Sequence, residues 1–141
     1  MNIDTFEHYL DQLIEARNLT ITAEARSQWW DAVEAIEGPV FRDAIRRIIA
    51  DDEAYPSPAR VRAMCRVIIN ERLSRAVQPP PPSGLTQDQY RRWEREWKRQ
   101  IIRGESVERA EELALKARHS DQQVTSGGSQ SGVIEGTIMN F

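Results

Sequence analysis

Cys65, His8, His119 and the acidic run Asp51-Asp52-Glu53 are the residues of this chain best suited to chemistry, and their spacing argues against it. A reactive thiol needs a nearby base or helix N-terminus to form thiolate, whereas Cys65 falls on an apolar helical stripe, the usual place of a buried small hydrophobe. The two histidines are isolated, so no Cys/His cluster is available to hold zinc. Asp51-Asp52 could meet a cation, but at a helix end without further carboxylates the run reads as solvated. None of the glycines opens a G-x-x-x-x-G-K-[ST] loop, and no G-x-S-x-G elbow occurs. The expectation is a protein that is not an enzyme and carries neither cofactor nor metal.

Residues suited to binding are easier to find. Tyr90, Trp93, Trp97 and Ile101 recur at steps of three, four and four, which places them on one helical face. A helical hairpin of roughly 33 residues is too small to bury two tryptophans by itself. The stripe must therefore pack on the N-terminal domain or on a partner, where aromatic anchors are typical. Arg91, Arg92, Arg95, Lys98 and Arg99 cover the opposite face. There Asp88–Arg92 and Glu94–Lys98 have the spacing to relieve part of the arginine repulsion. Arg60, Arg62 and Arg66 form a second basic group. Both groups are candidates for contact with phosphates or an acidic protein surface, or are simply solvated.

The elements that carry these residues are all helical. A first helix spans 4–17, capped by Asp4 or Thr5, with Phe6, Leu10, Leu13 and Ile14 on one face. Thr22 caps a second to about Glu37, where Trp29, Val33 and Ile36 share a face with Ala25 and Trp30 points elsewhere. Gly38 ends it and Pro39 starts a third, which buries Phe41, Ala44, Ile45, Ile48 and Ile49 and pairs Asp43 with Arg47 on its outer face. Ser57-Pro58 opens a fourth to Arg75, burying Val61, Met64, Cys65, Ile68 and Leu73. Trp29, Phe41 and Met64 are the expected centre of this four-helix domain, residues 1–76.

Pro79–Pro82 mark a linker, 77–84, favouring a stiff polyproline rod. A hairpin, 85–118, follows: Thr86 and Gln89 form a capping box, Gly104 ends its first helix, and Ser106 caps its second. Residues 119–132 are too polar to offset the entropy of ordering and read as disordered within the flexible tail, 119–141. The final VIEGTIMNF is either plain tail or a short motif held on a tether. The fold class is all-α.

The formal net charge of −3 conceals a gradient, with residues 79–118 at +2 and the remainder negative. No segment has the strongly basic footprint of a dedicated nucleic-acid domain. A single cysteine, no membrane-length apolar run and an N-terminus unlike a signal peptide point to the cytoplasm.

Trp29 or Trp30 with Val33, then Phe41, Ala44 and Ile45, then Tyr55-Pro56-Ser57-Pro58 after an acidic link, follow a recognisable order over residues 4–70. It resembles the helicase loader/inhibitor proteins of bacteriophages, small helical partners of a DnaB-type replicative helicase. Members of that family tend to have adjacent prolines after the aromatic residue, whereas Ser57 separates them here. The resemblance implies a folded helical N-terminal domain and a flexible C-terminal part that engages the hexameric helicase in the bacterial host cytoplasm. It also implies delivery of the helicase to DNA bound by an origin-binding initiator, with DNA contact secondary and no membrane involved. Two other functions remain open. One is a helix-turn-helix-like DNA-binding regulator reading with Arg42, Arg46 and Arg47, though Val40 and Phe41 stand where base-reading polar residues belong. The other is a phage assembly or scaffold protein that dimerises through the hairpin.

Overall fold

Helix boundaries in this chain are set by side chains that satisfy the backbone groups a helix leaves unpaired at its ends. The computed structural model describes residues 1–51 and 55–117, all helix and connecting segments. Asp52, Glu53, His119, the polar stretch 119–132 and VIEGTIMNF lie outside the described residues. The described residues divide into two compact units, one comprising Met1–Ala76 with Ile102–Gly104, the other Val77–Ile101 with residues 105–117.

In the first unit, α1 spans Ile3–Arg17, α2 Ala23–Val33, α3 Gly38–Asp51 and α4 Pro58–Arg75. Asn2, not Asp4 or Thr5, caps α1: its backbone is extended and its Oδ1 accepts from Thr5 N at 2.8 Å. Asp4 then sits in the first turn, where the helix dipole favours an acid. Asn18, at φ 52°, closes α1 in the left-handed region that asparagine tolerates. Thr22 caps α2 through Ala25 N at 3.0 Å.

This helix ends at Val33, short of Glu37, and Gly38 does not terminate it. Gly38 is instead the first residue of α3, because the Glu37 carbonyl accepts from both Val40 N and Phe41 N. Ser57 and Pro58 start α4 as the sequence indicates, with Arg60 N donating to Ser57 Oγ at 3.2 Å.

α3 packs on α1 and α4, and α2 on α4. Their apolar faces meet in one core built on Phe6, Leu10, Leu13, Trp29, Val33, Phe41, Ile45, Val61, Cys65 and Ile68. Of the expected centre, Trp29 and Phe41 belong to this core and Met64 does not; Phe6 joins them, its ring meeting Trp30 edge-on at 5.2 Å and lying 5.9 Å from Phe41. Met64, Ile14, Ile36 and Ile49 are only half-buried at the core's margin. Leu73 is likewise half-buried.

Charged side chains tie the helices together around this core. Arg26 of α2 pairs with Glu7 and Asp11 of α1. Arg17 donates to the Ile48 carbonyl near the C-terminal end of α3, where the helix dipole favours a cation. The expected Asp43–Arg47 pair within α3 does not form. Asp43 accepts instead from Arg42 and from Arg72 of α4, while Arg47 reaches Glu71 of α4 at 2.8 Å. The Asp43–Arg72 pair between helices is favoured because both side chains are largely shielded and so less screened than an exposed pair along one helix. Arg72 also donates to the Ile102 carbonyl at 2.7 Å, and Arg103 pairs with Glu37.

In the second unit, α5 spans Gln87–Ile102, its last residue counted with the first unit, and α6 occupies 107–117. The capping box forms in both directions: Gln89 N donates to Thr86 Oγ1 and Thr86 N to Gln89 Oε1. Gly104, at φ 97°, terminates α5, and Glu105 N bonds the Gln100 carbonyl. A side chain at Gly104 would be strained in that left-handed conformation. Ser106 Oγ accepts from Arg109 N to start α6. Trp93, Trp97, Gln100 and Ile101 of α5 and Ala110 and Ala114 of α6 are buried.

Candidate partner-binding surfaces

Side chains with chemical potential are placed for structure. Cys65 is 2 % exposed, and burial pushes its thiol up to about 11. Almost no thiolate exists at neutral pH in such a setting. Native protein at pH 8 is therefore expected to resist a thiol-reactive disulfide reagent, with one equivalent released on denaturation. Prompt stoichiometric reaction of the native protein would contradict this burial. His8 is exposed, 3.2 Å from Gln12 and edge-on to Tyr9. Among the described residues no three His, Cys, Asp or Glu side chains converge as metal ligands, and no helix is long and apolar enough to cross a membrane.

The aromatic stripe of α5 is interior. Trp93 is fully buried, Trp97 and Ile101 nearly so, and Tyr90 is half-buried with its ring 6.1 Å from Trp93. The chain thus covers its own tryptophans. A partner could reach them only by opening the packing around α5. Neither indole Nε1 meets an acceptor among the described residues. Leaving a buried donor unpaired costs on the order of 1–3 kcal/mol.

Among the described residues, two outward surfaces bear on binding. The first lies in the first unit, where α3 and α4 flank an open groove of about 410 Å³ lined by Arg47, Asp51, Arg60, Met64 and Val67. Val67 is 47 % exposed, and Arg62 and Arg66 stand exposed on the same helix. Tyr55, two residues before the Ser57 cap, is 75 % exposed, although Pro56 beside it is buried. Met64 and Val67 give this groove an apolar component and Arg47 and Arg60 a cationic one, a composition that suits protein docking, while Tyr55 stands exposed just before α4 and is not among the lining residues. Sequence reasoning singled out Arg60, Arg62 and Arg66, placed Met64 in the core and passed over Val67. Val67 falls outside the periodic core stripe, and Tyr55 lies in no helix.

The second surface is the outer face of α5. Arg91, Arg95, Lys98 and Arg99 are all exposed there, with Arg99 3.2 Å from Glu96. Glu94 does not serve Lys98. Its carboxylate accepts from Tyr90 Oη at 3.2 Å and Gln78 Nε2 at 3.3 Å, while Glu96 accepts from Gln100 and Arg99.

No protein-family model, curated protein or solved structure matches the chain. Function must be argued from these surfaces and from the residues of the sequence.

Proposed function

We propose that this chain is a non-enzymatic adaptor of phage or prophage DNA replication, acting in the bacterial cytoplasm. It binds a hexameric DnaB-type replicative helicase and assists or restrains its loading. The partner is argued from the order of residues over 4–70 that resembles the loader/inhibitor family. The observation that carries the reading is the exposure of Tyr55. Within Tyr55-Pro56-Ser57-Pro58, Pro56 is buried, Ser57 caps α4 and Pro58 starts it, so three residues have a structural task. Tyr55 has none, and a large aromatic ring held in solvent beside a rigid helix start is suited to a partner. Such an adaptor works by binding one state of the helicase more tightly than another.

A DNA-reading α3 has less support. Val40 and Phe41 in its first turn are fully buried, and Arg42 and Arg47 are engaged with Asp43 and Glu71. Dimerisation of a scaffold through the tryptophan stripe would require that stripe to leave the interior.

The test is binding of the purified chain to the cognate hexameric helicase, with Tyr55→Ala/Val67→Ser as the altered surface. Truncating a hot-spot aromatic typically costs about 2 kcal/mol or more, roughly a thirtyfold loss of affinity. Helicase binding that is unchanged in the double variant would remove this surface from the account.

A further inference from the structure

We propose that the outer face of α5 binds the phosphate backbone of nucleic acid without reading its sequence, an activity separate from helicase binding. Arg91, Arg95 and Lys98 follow one another at i, i+4 and i+7, so they form a single row. All three are exposed and none makes an ion pair among the described residues. Arg92 and Arg99 flank the row and are also exposed.

Among the described acids of α5, Asp88 forms no ion pair with this row, and the two glutamates between its members are directed elsewhere. Glu94 is committed to Tyr90 and Gln78, and Glu96 to Gln100 and Arg99. Arg91 and Arg95 therefore repel each other along the helix, a cost that an incoming anion relieves.

The composition of the face distinguishes the kind of anion. A protein interface is centred on apolar anchors, with charges at its rim. On α5 no large apolar side chain is exposed: Trp93, Trp97 and Ile101 are buried and Tyr90 and Ile102 half-buried. Phosphate binding needs no apolar centre. It uses guanidinium forks, which meet phosphate oxygens with two parallel hydrogen bonds, and arginine dominates this row. From residue 91 to residue 98 the helix rises about 10 Å, the length of roughly three phosphates along one strand. The net charge of −3 places the attraction in this row rather than in the field of the whole chain. Affinity in the range of about 10⁻⁴–10⁻⁶ M follows, typical of non-specific contacts.

The experiment is fluorescence polarisation of labelled single-stranded and duplex DNA with the full chain. Three phosphate contacts give a log–log salt slope near −2.7 on duplex, about a fortyfold loss of affinity from 50 to 200 mM salt. Arg91→Gln/Arg95→Gln/Lys98→Gln should weaken binding at least tenfold at 50 mM salt, with unchanged helicity because all three side chains are exposed. Arg62→Gln/Arg66→Gln, which alters the basic residues of α4 instead, should leave binding intact. The proposal is overturned by the absence of salt-dependent binding, or by DNA binding that survives the α5 substitutions and disappears with the α4 pair. It is equally overturned if the α5 substitutions abolish helicase binding while leaving DNA binding unchanged, since the face would then serve a protein.

Discussion

Trp93→Ala is expected to lower the free energy of unfolding by about 3–5 kcal/mol, the range for removing a fully buried large aromatic. Trp93 has no exposed surface, so the substitution leaves a cavity among groups that relax only in part. That loss is a large share of the roughly 5–15 kcal/mol that holds a folded domain together. Trp93→Phe should cost well under half as much. It keeps a ring in place and deletes an indole N–H that meets no acceptor among the described residues. Urea denaturation followed by circular dichroism gives both values. An alanine variant as stable as the parent would show that Trp93 is not interior. Loss of partner binding in Trp93→Ala reports unfolding rather than a lost contact, which makes surface substitutions the proper probe of function.

Asp43→Ala is expected to cost about 2–3 kcal/mol. Asp43 joins Arg42 of its own helix to Arg72 of α4, and both Asp43 and Arg72 are largely shielded. Its removal takes the carboxylate from Arg42 and leaves Arg72 with the Ile102 carbonyl alone, and charged hydrogen bonds are worth roughly 1.5–3 kcal/mol. Burial alone would push the Asp43 carboxyl up, but the hydrogen bonds and charges of Arg42 and Arg72 outweigh it and hold it below the ordinary value. Folded Asp43 therefore binds a proton less readily than unfolded Asp43.

Its contribution is complete above the unfolded value, about 4, and is lost as pH falls through the lower folded value. Asp43→Asn should flatten that acid limb of stability. Melting temperatures of parent and variant between about pH 5 and pH 2 would show it, and parallel curves would contradict the role given to Asp43.

Helix starts are legible where a capping side chain stands clear of rivals, as it does not at α1, where Asn2 caps ahead of the expected Asp4 or Thr5. Ser57-Pro58, Thr86 with Gln89, and Ser106 each cap a helix through a local hydrogen bond that depends on residues three apart. Gly104 likewise ends α5 through its own positive φ. Features decided by distant parts of the chain were not legible. Gly38-Pro39 carries an end signal and a start signal together, and only the bonds to the Glu37 carbonyl show that both residues belong to α3. Asp43 had Arg47 at helical spacing, but the fold offers it Arg72.

The surfaces divide in the same way. Periodicity alone puts Trp93 and Trp97 on one face and Arg91, Arg95 and Lys98 on the other. That the chain buries its tryptophans is a property of the folded whole. Glu94 could pair with Lys98 or with Tyr90 at equal sequence distance, so spacing could not reveal that the cationic row loses that partner. Tyr55 stood out in the sequence for its neighbours, and only its exposure separates it from their structural task.

The central claim is that this chain acts by binding a replicative helicase, and size-exclusion chromatography with light scattering on a mixture with the cognate hexamer tests it most directly. The account predicts a complex heavier than the hexamer that contains both chains and is lost on Tyr55→Ala/Val67→Ser substitution. Separate elution of the parent chain and hexamer at tens of micromolar, with nucleotide present and absent, would contradict it.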